Sequence, residues 1–212
     1  MLIKRKINLI VGIIIIIIGL FIGIIPFILE RDNEYKDKVL VDNYLNDTSI
    51  NNDISKDNNT DNNIYNNTDN TNSDNLESYF LVLEIPKIGL KRGVYDFNSK
   101  HNTIEENVSI MKESSLPNKD NGNVVLEAHS GSAEISYFND LYKLNINDYA
   151  YIYYNGIKYK YKVNKIYDVD KDGDVEVYRE KDKNTLTLIT CLNDSDTKHL
   201  VVILYLEEYE NY

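Results

Sequence analysis

Residues 149–163 read YAYIYYNGIKYKYKV. Two apolar and aromatic runs, 149–154 and 157–163, flank Asn155-Gly156, a pair that tolerates positive φ at both positions and so closes a tight type I′ turn. The stretch therefore predicts a β-hairpin. Working outward, runs of the same kind, rich in Val, Ile and Tyr and bounded by turn residues, occupy 80–85, 123–128, 174–178, 185–190 and 199–206. Helical content is minor, with turns expected around 102–110 and 136–144. Many short strands at close spacing predict a closed barrel or sandwich, its strands mainly antiparallel with parallel neighbours allowed.

The preceding third of the chain is different. Positions 9–29 (LIVGIIIIIIGLFIGIIPFIL) carry no charge and match the roughly 20 residues a helix needs to cross a hydrocarbon core. A cleaved signal has a shorter apolar region, about 7–15 residues, ended by a small-residue cut site, and the stretch ends instead on PFILER. A retained anchor is expected, with Lys4, Arg5 and Lys6 holding the N-terminus in the cytoplasm. Residues 30–78 follow as a tract of Asn, Asp, Ser and Thr, too poor in apolar groups to offset the entropy of ordering, and are expected to form a disordered tether. Three zones result: 1–29, basic tip and membrane anchor; 30–78, tether; 79–212, an extracytoplasmic β domain.

Of the formal charge of −11, the tract 30–78 holds −8, from four basic and twelve acidic residues. An acidic chain without a basic stripe argues against nucleic acid as partner. Cys191 is the single cysteine, so no internal disulfide can form, and an unpaired thiol in an exported chain is a candidate reactive group. The plain alternative is a small buried core residue.

Cys191 closes the alternating run TLTLITC (185–191), before the loop residues NDSD (193–196). His129 closes VVLEAH (124–129), before SGS (130–132). A strand end holds the backbone still while presenting a side chain to substrate, and a thiol becomes nucleophilic beside a proton-accepting or positive neighbour. The two form a Cys/His pair if their strands are neighbours; otherwise they are unrelated loop-edge residues. His101, among polar residues, reads as a solvated loop residue.

The succession LEIPKIGL (83–90), AHSG (128–131), YFNDL (137–141), NGIKYKYKV (155–163) and TLTLITC (185–191) resembles the sortases of Gram-positive bacteria over nearly all of 80–206. The resemblance implies a mainly β fold, an eight-stranded sortase-like β-barrel with a few short helices, preceded here by one transmembrane helix. It implies a cysteine transpeptidase, with Cys191 as nucleophile and His129 as acid/base partner, that cleaves an LPxTG-like sorting signal and passes the acyl group to an amine. The implied partners are surface proteins bearing C-terminal sorting signals and a peptidoglycan precursor or other amine acceptor. No cofactor is required. No second hydrophobic segment follows the last strand, which favours attachment to the wall over pilus polymerisation.

The chain departs from the family pattern at one place. Sortases carry an arginine at the start of the strand after the cysteine, and His199 stands there, next to Lys198. His199 is the candidate replacement, Lys198 its competitor, and a degenerate, non-catalytic surface-binding domain is the alternative function. Asp168, Asp170 and Asp172 alternate as calcium ligands do, in the region where some sortases bind a regulatory Ca²⁺. Position twelve of the would-be calcium loop is Arg179 rather than the required Glu, so a solvated acidic turn is the competing reading.

Overall fold

A computed structural model of the chain describes residues 15, 18–20, 34–47, 78–133, 135–172, 175–192, 195 and 197–212. Most of the expected membrane anchor and most of the tether lie outside the described residues. Among the described residues no helix is long and apolar enough to cross a membrane.

Eight strands form one sheet: β1 (Leu81–Ile85), β2 (Leu90–Val94), β3 (Ser109–Ile110), β4 (Asn123–Glu127), β5 (Tyr149–Tyr154), β6 (Ile157–Asp170), β7 (Thr185–Cys191) and β8 (Lys198–Asn211), in the order β2-β1-β5-β6-β8-β7-β4-β3. The sheet curls into a nearly closed barrel. Every pairing is antiparallel except β4 with β7. The predicted hairpin is β5–β6: Tyr154 pairs with Ile157, and Asn155 and Gly156 take φ of 50° and 72°.

Alternation sorts each strand into an inner and an outer row. Leu81, Leu83 and Ile85 of β1, Val124 and Leu126 of β4, Leu186 and Leu188 of β7, and Leu200, Val202 and Leu204 of β8 share the barrel core. No ladder joins β2 to β3; a side chain spans that seam instead. Asn107, buried just before β3, donates from Nδ2 to the Gly93 carbonyl (2.9 Å) and accepts from Arg92 Nε (3.1 Å).

The structure corrects the sequence reading in two places. The run 174–178 is no strand among its described residues. Its apolar side chains Val175 and Val177 do pack on the outer row of β8, against Val201, Ile203 and Tyr205. Its backbone, however, bonds to a tyrosine hydroxyl: Tyr167 OH donates to the Glu176 carbonyl (3.0 Å) and accepts from Tyr178 N (2.8 Å), and just beyond the run Tyr205 OH accepts from Glu180 N (2.8 Å). The turns expected around 102–110 and 136–144 are present, the first leading into β3 and the second holding one short 3₁₀ turn, Leu141–Lys143.

Second, the tether expectation fails over 34–47, which is helical (α1). Leu40, Val41, Tyr44 and Leu45 recur at the spacing that makes one apolar stripe, and they pack with Tyr79, Val82 and Tyr153 on the outer face of β1 and β5. Tyr44 OH donates to the Phe80 carbonyl (3.0 Å). Beneath this cluster the Tyr79 ring lies flat on Gly93, where a Cβ would come within 2.0 Å of the ring. Gly93→Ala is expected to displace Tyr79 and destabilise the domain by about 1–3 kcal/mol, the usual cost of overpacking; an unchanged urea midpoint would refute this packing.

Candidate active site

The parallel pairing of β4 with β7 places Glu127 beside Ile189, and the contact continues past the end of β4. Ala128 N donates to the Ile189 carbonyl (3.3 Å), Thr190 Oγ1 donates to the Ala128 carbonyl (2.8 Å), and Ser130 Oγ donates to the Cys191 carbonyl (2.6 Å). His129 is thus bracketed on both sides by bonds to the strand that carries Cys191. On the other flank of β7, Cys191 and His199 are direct cross-strand partners. Two residues opposed in an antiparallel ladder point to the same face.

Face parity brings the three together. Ala128, Leu188 and Leu200 belong to the core, so His129, Cys191 and His199 fall on the outer rows of three adjacent strands. Cys191 is a free, half-buried thiol. The sequence motifs find their purpose in the loop after His129. Phe138, fully buried, donates its N–H to the His129 carbonyl (3.0 Å), and Asn139 Oδ1 accepts from Gly131 N (3.1 Å), where the chain turns at φ of 117°. Tyr137 accepts a hydrogen bond from Arg92 Nη2 (2.7 Å), and the guanidinium stacks 4.1 Å from its ring centroid. Arg92 was legible only as one of two arginines in the domain; nothing in the sequence signalled that it braces this loop.

Burial, then the nearby Lys171 ammonium, push the His199 pKa below the ordinary histidine value, opposed by the Thr190 carbonyl. Among the described residues its buried Nδ1 has no hydrogen-bond partner. Since the folded state disfavours the imidazolium, the unfolded chain binds more protons, and His199 contributes stability that is lost as pH falls below about 6.5. Lys198, its competitor, is engaged elsewhere, hydrogen-bonded to Asp168, whose carboxyl that contact holds below its usual range. Among the described residues no group of three or more acidic, His or Cys side chains is placed to hold a metal ion. His101 lies apart, its Nδ1 2.6 Å from Glu106 Oε2.

The sortase domain model matches residues 83–207. The chain belongs to the sortase family. Sortases are cysteine transpeptidases, and solved members superpose on this barrel. Listeria monocytogenes sortase A is 22% identical with a TM-score of 0.54, covering 63% of this chain and 90% of its own. A Clostridium perfringens sortase C, solved with the C-terminal cell wall sorting motif, is 30% identical, TM-score 0.54, over 62% of this chain and 72% of its own. The Streptococcus agalactiae sortase C1 complex with MTSET is 25% identical, TM-score 0.55, over 63% and 72%. No curated protein sequence matches significantly.

Proposed function

We propose that this sortase cleaves an LPxTG-like sorting signal and transfers the acylated protein to a cell-wall amine, acting outside the cell from an anchor at 9–29. The single observation that carries the reading is the adjacency of His129 and Cys191 on paired strands. The Clostridium perfringens sortase C solved with a sorting motif supports the substrate class.

In this reading the Cys191 thiolate attacks the scissile carbonyl, forming a C–S bond; the C–N bond breaks as His129 imidazolium gives its proton to the leaving amine. An incoming amine then attacks the thioester, His129 takes its proton, and the C–S bond breaks to return the thiolate. His199 stands where the family places its arginine. A neutral imidazole keeps one N–H to donate to the developing oxyanion but lacks the guanidinium's permanent charge and fork.

The testing experiment incubates the protein with a library of LPxTG-type peptides and follows it by mass spectrometry. A thioacyl adduct on Cys191 with release of the C-terminal fragment is expected, and no adduct with any peptide refutes the reading. His199→Ala is expected to slow adduct formation about 10²-fold, as loss of one oxyanion donor does, with His199→Arg retaining activity. If His199→Ala acylates at the parent rate, the residue has no part in the chemistry.

A further inference from the structure

Beyond the end of β4 the contact with β7 changes in kind. A continued parallel ladder would add two slanted, evenly spaced rungs after the bond from Ala128 N to Ile189: Cys191 N–H to the Ala128 carbonyl, then Ser130 N–H to the Cys191 carbonyl. Neither backbone rung forms among the described residues. Hydroxyls take both acceptors instead, Thr190 Oγ1 donating to the Ala128 carbonyl (2.8 Å) and Ser130 Oγ to the Cys191 carbonyl (2.6 Å). Continuing the register of Glu127 with Ile189 puts His129 level with Cys191, between these two bonds. A serine oxygen sits two bonds from its Cα and an amide nitrogen one, so a hydroxyl rung leaves more room between strand ends than the about 4.8 Å of a ladder.

Ser130 also couples two rigid parts. On its own side the loop holds the backbone before and after it, through Phe138 N to the His129 carbonyl (3.0 Å) and Gly131 N to Asn139 Oδ1 (3.1 Å). Across the gap, the peptide that follows the nucleophile is gripped at both ends. Ser130 takes the Cys191 carbonyl, and Leu192 N donates to the Lys198 carbonyl of β8 (3.0 Å). A planar peptide bonded on both flanks resists rotation, and with ψ of Cys191 so held the Cα–Cβ bond that carries Sγ keeps one direction. Removing the hydroxyl frees one end of that plane where a thiol must meet an imidazole.

We propose that Ser130 is a positioning residue of this site: its hydroxyl, standing where a backbone rung would be, sets the spacing and aim of the Cys191 thiol relative to His129. The inference deepens the function proposed above and rests on it. Ser130 touches neither substrate nor the transferred proton; it acts through the Cys191 carbonyl alone. A control lies at the other end of the same pair of strands, where Thr187 Oγ1, fully buried, donates to Asn123 Oδ1 (2.8 Å). That bond also joins β7 to β4, but far from the thiol.

The test compares Ser130→Ala, Ser130→Thr and Thr187→Val in the full-length protein in detergent micelles. With an LPxTG-type peptide, Ser130→Ala is expected to lower kcat about tenfold, short of the roughly 10²-fold that a 1 Å misplacement costs, and to leave KM within about twofold. Ser130→Thr keeps the hydroxyl and should restore kcat to within about twofold of the parent. Thr187→Val should lower the urea midpoint at least as far as Ser130→Ala does, with kcat unchanged. Parent-like kcat in Ser130→Ala, no rescue by threonine, or an equal kcat loss in Thr187→Val overturns the proposal. The second readout needs no sorting signal: alkylation of Cys191 by iodoacetamide should slow severalfold in Ser130→Ala, because the thiol loses its proton-accepting neighbour, and recover in Ser130→Thr. Alkylation at the parent rate in Ser130→Ala also overturns it. A parent that forms no peptide adduct, yet whose alkylation depends on the Ser130 hydroxyl, would instead refute the transpeptidase reading and uphold the positioning role.

Discussion

Cys191→Ala is expected to abolish adduct formation and peptide cleavage, a loss of about 10⁴-fold or more, as follows when an enzymatic nucleophile is removed. The side chain ends β7 half-exposed, so replacing its thiol by a methyl hydrogen changes little packing, and the urea midpoint should stay within about 0.5 kcal/mol of the parent. The contrast between collapsed activity and retained stability is the informative part. If Cys191→Ala still releases the C-terminal fragment, the thiol is a bystander at the end of a strand and some other group attacks. Cys191→Ser is a second probe: the hydroxyl keeps the geometry but ionises far less readily than a thiol, so its activity should sit near that of the alanine variant.

His129→Ala should slow both half-reactions by about 10²–10⁴-fold, the range for general acid–base catalysis. Both slow because one imidazole serves twice, giving a proton to the leaving amine and taking one from the attacking amine. The loop geometry makes a finer comparison available. Asn139→Ala removes the acceptor for the Gly131 N–H and loosens the loop without touching the imidazole. It should cost far less than His129→Ala, and the loss should appear in kcat, since the sorting signal itself meets an unaltered surface. A His129→Ala enzyme that cleaves as fast as the parent while failing only in transfer would assign leaving-group protonation elsewhere.

The two candidate residues, Cys191 and His129, were legible as candidates because each ends an alternating run, and that pattern depends on a few neighbouring residues. Their adjacency was not, since it rests on a parallel pairing between strands far apart in the chain, and no local signal encodes which strands meet. The motif resemblance bridged that gap. The misreadings have local causes. β2 is LKRGV (90–94) and β3 only two residues, so neither shows an apolar alternation long enough to notice. The stretch 174–178 has the alternation of a strand yet bonds its backbone to the Tyr167 hydroxyl, which pattern reading cannot anticipate. Helix α1 hid in an Asn- and Asp-rich tract because composition averages over the whole tract, whereas four apolar residues at the right spacing are enough once an aromatic wall is there to receive them.

The parallel contact between β4 and β7 also bears on how the enzyme comes into being. His129 and Cys191 are separated in the chain by β5, β6 and the segment ahead of β7, and such non-local pairings form slowly because the loop entropy is spent before the contacts repay it. Synthesis runs from the N-terminus, so His129 is made well before Cys191. In the proposed mechanism the thiol should therefore remain without its proton partner until β4 and β7 have paired, which makes the first turnover a clock for maturation.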